Sequence, residues 1–109
     1  MNIQKIAENY SVSEQICVSG VKDIVDAGYK VLICNRPDNE EPGQPNAEEI
    51  AAACKAFGMS FHHLPFQGAF LSTELIESFR NIVGDANGPV FGYCRTGQRC
   101  AYLWANAMR

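Results

Sequence analysis

Gly88-Pro-Val-Phe-Gly-Tyr-Cys-Arg-Thr-Gly-Gln-Arg-Cys-Ala-Tyr-Leu103 is the stretch on which the reading of this chain turns. Pro89 to Tyr93 has the apolar character of a short buried strand, and Gln98 onward has that of a helix. Between them Cys94 opens a six-residue loop, Cys94-Arg95-Thr96-Gly97-Gln98-Arg99. A thiol at a strand end, facing a helix N-terminus and two guanidiniums, is placed where a thiolate is stabilised. The backbone N–H groups of such a loop point inward and hold an oxyanion. Nucleophile and anion cradle thus come from one segment. That pattern implies an enzyme acting on phosphate, sulfate-like or sulfane-sulfur compounds.

Working outward, the rest of the chain alternates strand and helix signals. Gln15-Ile-Cys-Val18 reads as a short strand, after which Ser19 is placed to cap a helix over Val21–Ala27 that Gly28 ends. Tyr29–Cys34 is a near-continuous apolar run, as expected of a strand covered on both faces. Asn35–Pro45 holds three prolines, a glycine and three acids and reads as a long loop. Asn46 caps a helix that Gly58 closes. Met59–Leu64 is a further core strand, stopped by Pro65. From Ser72 or Thr73, Leu75, Ile76, Phe79, Ile82 and Val83 recur at helical spacing, and Gly84–Gly88 is the turn before the last strand. The order predicts an α/β fold, a parallel sheet of four or slightly more strands flanked by helices. Ligands of such sheets sit at the carboxyl ends of strands. The Cys94 loop, Asn35–Pro45 and Pro65–Leu71 share that rim.

The 109 residues fit one domain, 1–109. The final helix runs into Met108-Arg109 without a stop signal, which is consistent with a last element lying beyond this segment. A net charge of −3 and few clustered cations argue against a general nucleic-acid or membrane-surface binder. No apolar run has the length of a membrane span, and the first residues lack the character of a signal peptide. Five cysteines without a Cys-x-x-Cys pair suit reduced thiols in the cytoplasm, with no metal site and no cofactor called for.

Individual residues divide accordingly. Arg95 and Arg99 beside Cys94 are hard to reconcile with a mere core thiol, whereas a reactive thiolate explains them. Cys17, Cys34 and Cys54 read as core. Cys100 reads as core on the face of Leu103, Trp104 and Ala107, with a resolving thiol for an oxidised Cys94 as the other reading. His62 and His63 adjoin on a strand and point to opposite faces, so they form no joint metal grip. Asp38, Glu40 and Glu41 read as a solvated loop face, with one of them reaching the pocket as an acid or a substrate contact as the other reading. Arg36, Asp38 and Gln67 are rim candidates.

Gln15-Ile-Cys-Val-Ser-Gly20, Asn35-Arg-Pro-Asp-Asn-Glu-Glu-Pro-Gly-Gln-Pro45 and Gly92-Tyr-Cys-Arg-Thr-Gly-Gln-Arg99 together resemble the small bacterial phosphatase-like domain of beta-lactamase-hydrolase-like proteins. The resemblance runs nearly end to end. It implies a protein tyrosine phosphatase-like fold, and chemistry classed as phosphatase or sulfur transfer. It also implies occurrence either alone or joined to a partner, a metallo-beta-lactamase-type domain resembling persulfide dioxygenases. Carried over, it makes Cys94 the nucleophile, Arg99 the anion clamp, and Arg95, Thr96, Gly97 and Gln98 the remaining cradle.

Three departures from the tyrosine-phosphatase pattern bear on the chemistry. Tyr93 replaces the histidine before the cysteine. Only four residues separate Cys94 from Arg99, as in rhodanese loops, and Cys100 stands where the phosphatase arginine is expected. No carboxylate lies between Phe57 and Thr73, where the phosphatase acid is expected; that place reads Phe66-Gln67-Gly68. An ester leaving group needs a proton, for which general acids supply roughly 10²–10⁴-fold, whereas sulfite leaving thiosulfate needs none. On the sequence, the favoured expectation is sulfur transfer through a Cys94 persulfide, from thiosulfate or a small persulfide to a thiol acceptor. The alternative is hydrolysis of phosphate monoesters through a Cys94 phosphocysteine. A non-catalytic anion-binding module is the third reading.

Overall fold

Val31-Leu-Ile-Cys34 is apolar at every position because both faces of the strand are covered. Val31 and Ile33 join one buried cluster, and Leu32 and Cys34 the other. The same alternation divides Val90 and Cys94 from Phe91 and Tyr93. The computed structural model describes residues 1–109. Its five strands are β1 (Gln4–Ala7), β2 (Tyr10–Ser13), β3 (Val31–Cys34), β4 (Ser60–His63) and β5 (Val90–Tyr93). They lie in the order β1-β2-β5-β3-β4. β2, β5, β3 and β4 pair in parallel, and β1 pairs antiparallel with β2 as an edge hairpin.

Four helices cover the sheet: α1 (Val21–Asp26), α2 (Ala47–Ala56), α3 (Thr73–Asp85) and α4 (Gln98–Ala107). Phe79 and Val83 of α3 and Cys100, Leu103 and Ala107 of α4 fill one face. Val21 and Ile24 of α1 with Ile50 and Cys54 of α2 fill the other. Two caps act as expected: Asn46 accepts from the Glu49 amide at 2.8 Å and Ser72 from the Leu75 amide at 3.1 Å. Gly28 and Gly58 terminate α1 and α2 at φ of 101° and 74°, where a side chain would be strained. This is the expected α/β sheet flanked by helices.

The N-terminal third differs from the sequence reading. Gln15–Val18 is not a strand; the strand beside β5 is Tyr10–Ser13, and Gln4–Ala7 adds an edge. Two serines hid it. Ser11 and Ser13 are buried yet satisfied, Ser11 by the Tyr29 hydroxyl at 2.8 Å and Ser13 by the Glu14 carbonyl at 2.8 Å. Ser19 does not cap α1; it lies in a single 3-10 turn, Val18–Gly20, that leads into the helix without a side-chain cap. Cys17 is exposed rather than core, hydrogen-bonded to the Ser19 hydroxyl at 3.1 Å.

Candidate active site

β5 is the central strand, and Cys94 follows its last residue, so the thiol emerges at the middle of the sheet's carboxyl edge. The backbone must then reverse into α4. Gly97, the residue before that helix, does so at φ 95°, and a Cβ there would stand 3.4 Å from the Ser13 backbone. Gly92 serves a second close approach. A side chain at that point would collide with the Tyr10 hydroxyl and lie 3.4 Å from the Cys100 sulfur, so glycine lets α4 and the Tyr10 ring close over the strand. Tyr10 stacks on Trp104 with centroids 4.6 Å apart, fixing that helix.

The Cys94 thiol is driven towards its thiolate. Its pKa is lowered to about 5, chiefly by a hydrogen bond from the Cys100 thiol, then by the backbone amides of Cys100, Thr96 and Gly97. Burial opposes these and is outweighed. The Gly97 N–H lies 3.0 Å from the sulfur, and the N-terminus of α4 adds its positive end. Cys100, fully buried, has its own thiol pushed well up, first by burial and then by the anionic neighbour. It is thus the donor of the pair. Cys100 packs in the core as its helical face implied, and it also lies against Cys94, as a resolving thiol would have to; the hydrogen bond it donates there is the new element. Behind it the Tyr10 hydroxyl is buried without a hydrogen-bond partner.

Above the loop lies a cleft of about 480 Å³ lined only by polar and charged residues, the 36–41 stretch without Pro37 on one side and Gln67, Arg95 and Arg99 on the other. Its three predicted segments therefore do meet. Glu40 is its hub. One carboxylate oxygen accepts from Arg99 at 2.7 Å and from Arg36 at 2.9 Å; the other accepts from Arg99 at 3.0 Å and from Gln67 at 2.9 Å. Glu40 is held down to about 2, first by Arg99 and further by Gln67 and Arg36. Glu41 is also held low, first by Arg36, which donates to it at 2.8 Å, then by Arg95.

These contacts revise several placements. Glu40 is not part of a solvated face but a buried-edge carboxylate that fixes Arg99, whose guanidinium also meets the Phe66 carbonyl at 3.1 Å. Arg36 is not a rim residue. Only 1% exposed, it lies beneath the cleft and ties Gln15, Glu40 and Glu41 together. Asp38 lines the cleft but also accepts from the Ala47 amide at 2.8 Å, at the N-terminus of α2. Arg95 is exposed at the rim, 3.9 Å from Glu41. Thr96 accepts from the Gln98 amide at 3.2 Å, and Gln98 faces a second groove beside Gly68, Ala69 and Tyr102. Arg99 forms the wall between the two grooves. His63 meets the Arg36 carbonyl at 2.8 Å and is structurally satisfied. Cys94 itself is fully buried below the cleft. No group of three His, Cys, Asp or Glu side chains has metal-binding geometry. No helix is long and apolar enough to cross a membrane.

Comparison with known proteins places this geometry. The profile described as "Beta-lactamase hydrolase-like protein, phosphatase-like domain" matches residues 2–108. The beta-lactamase hydrolase-like protein of Agrobacterium fabrum is 32% identical over 95% of this chain, which spans only 24% of that protein's length. A candidate phosphatase from Neisseria meningitidis superposes with a TM-score of 0.82 at 39% identity, over 92% of this chain and 71% of that one. The core catalytic domain of the PP-IP phosphatase SIW14 from S. cerevisiae shares the fold, with a TM-score of 0.64 at 16% identity over 94% of this chain and 62% of that one. These likenesses side with the phosphatase alternative over the sulfur-transfer expectation, and none of them supports rhodanese chemistry specifically.

Proposed function

The chain belongs to the phosphatase-like domain family of beta-lactamase hydrolase-like proteins, and from that premise we propose that it is a cysteine-dependent phosphatase working through a phosphocysteine on Cys94. The observation that carries this reading is the buried Cys94 thiolate, bonded by the Gly97 amide at 3.0 Å at the start of α4 and followed five residues later by the fixed guanidinium of Arg99. Catalysis of phosphoryl transfer is mainly positioning and charge stabilisation, and this segment supplies both.

In the proposed course the phosphoryl oxygens take the loop amides and Arg99 while the Cys94 sulfur attacks phosphorus in line. Since Cys94 is fully buried in this conformation, the atoms above it part as the anion enters. The bond to the leaving group breaks, giving phosphocysteine. Water then attacks phosphorus, the P–S bond breaks back to thiolate, and phosphate departs. Glu40 keeps Arg99 in register, and Arg36 keeps Glu40 in register.

Sulfur transfer through the same thiolate is the second reading. It is favoured by the six-residue length of the loop and by the engagement of every carboxylate around the cleft. A paired assay separates the two: purified protein with p-nitrophenyl phosphate, and with thiosulfate plus cyanide. Phosphate release without thiocyanate is expected. Thiocyanate without phosphate release would overturn the phosphatase reading, and inertness in both arms despite retained vanadate binding would leave an anion-binding module.

A further inference from the structure

The three carboxylates lining the cleft share one property: each is already committed to a cationic or dipolar partner. Glu40 accepts four hydrogen bonds from Arg36, Arg99 and Gln67. Glu41 accepts from Arg36 and neighbours Arg95. Asp38 accepts from the Ala47 amide at the positive end of α2. Of the other protic groups near the site, the Cys100 thiol is committed to the Cys94 sulfur and the Tyr102 hydroxyl to the Ala69 carbonyl. The His63 ring nitrogen is occupied by the Arg36 carbonyl. The Tyr10 and Tyr93 hydroxyls lie in the buried interior, Tyr93 on the sheet face opposite Cys94. The segment after β4, Leu64-Pro-Phe-Gln-Gly-Ala-Phe-Leu71, contains no acid. A cleft rich in cations and acceptors therefore offers the departing oxygen no proton donor.

We propose that this site acts on phosphoric anhydrides, acyl phosphates and phosphoanhydrides, whose leaving group departs as a carboxylate or phosphate anion without being protonated. The inference rests on the phosphoryl-transfer reading of Cys94 and narrows its substrate class. In the step, the thiolate forms the S–P bond as the P–O bond to the acyl or phosphate group breaks, and that oxygen keeps the electron pair. Water then cleaves phosphocysteine, regenerating the thiolate and releasing phosphate and a proton. No oxidant or reductant enters. An alkyl ester would have to expel an alkoxide of high basicity, the case for which general acids contribute roughly 10²–10⁴-fold.

The test is a leaving-group series on the whole chain, with the Cys94→Ser protein as the background for spontaneous hydrolysis: acetyl phosphate, p-nitrophenyl phosphate, phenyl phosphate and glycerol 2-phosphate. Acetyl phosphate and p-nitrophenyl phosphate are expected to turn over. Phenyl phosphate should be at least about 100-fold poorer in kcat/KM than p-nitrophenyl phosphate, and glycerol 2-phosphate poorer still. Phenyl phosphate and glycerol 2-phosphate within about ten-fold of p-nitrophenyl phosphate would mean that an acid operates, overturning this inference while leaving the phosphatase reading intact. Inertness towards all four would overturn the phosphatase reading and this inference with it.

Discussion

Replacing Cys100 by alanine removes the largest contributor to the low pKa of Cys94 without touching the loop that would bind substrate. A hydrogen bond to a charged group is worth roughly 1.5–3 kcal/mol. At about 1.36 kcal/mol per ten-fold, that weakens ionisation of the Cys94 thiol by roughly ten- to a hundred-fold. The backbone amides of Thr96, Gly97 and Cys100 remain, so the thiol stays below an ordinary cysteine. The assay is the pH dependence of iodoacetamide alkylation at Cys94, followed by peptide mass spectrometry. It is done in a Cys17→Ser background, because Cys17 is exposed and its thiol is also lowered by the Ser19 hydroxyl. The parent should show an acid limb at about 5. In Cys100→Ala the limb moves upward, and alkylation near pH 5 slows roughly ten- to a hundred-fold. Cys100→Ser keeps a donor at the same place and should track the parent. Identical profiles for parent and Cys100→Ala would refute the assignment, and so would equal displacement in the alanine and serine variants.

Cys94→Ser should abolish turnover yet still bind vanadate or phosphate, read by isothermal calorimetry, because the cradle amides and Arg99 are untouched. Glu40→Gln should lower stability by about 1–3 kcal/mol in urea unfolding, since Arg36, only 1% exposed, loses a charged partner while keeping Glu41 and Gln15. The sign follows from the depressed carboxyl of Glu40: its contribution is present above 4.5 and is lost as pH falls through about 2. The stability gap between parent and Glu40→Gln should therefore close across that window, and a gap that widened there would contradict it. Gly92→Ala should cost about 1–3 kcal/mol by driving a methyl group into the Tyr10 hydroxyl, and an unchanged Tm would show that Tyr10 is free to move.

The parts of the fold that read directly from sequence are those where one residue type has one use. Val31–Cys34 and Val90–Tyr93 are apolar runs that only a doubly covered strand needs, and Asn46, Ser72, Gly28 and Gly58 mark helix ends by local chemistry. The hairpin of β1 and β2 was illegible because Ser11 and Ser13 are polar side chains whose burial depends on partners, among them Tyr29, eighteen positions away. Apolar Ile16-Cys-Val18 next to them drew the strand assignment instead. In the site, the nucleophile loop was legible because its elements are contiguous. Glu40 was not, since its role consists of bonds to Arg99 and Gln67, 59 and 27 positions distant. Its local setting, between prolines and other acids, looks like solvated loop. A usable signal did exist: Arg36 on the same short loop, opposite an arginine-bearing active loop, calls for a carboxylate between the two cations, and Glu40 is one of three acids on that loop. Cys100 was legible as buried and as a partner thiol for Cys94, but the hydrogen bond it donates to that sulfur depends on the turn at Gly97, which the local sequence does not specify.

The account stands on a covalent intermediate at one sulfur. Acid-quenched protein, mixed for milliseconds with p-nitrophenyl phosphate and digested, tests it directly by mass spectrometry. The prediction is one phosphoryl group on the peptide bearing Cys94, absent from Cys94→Ser. Phosphate release with no phosphoryl group on Cys94 at any time point, or with the group on another residue, would contradict it.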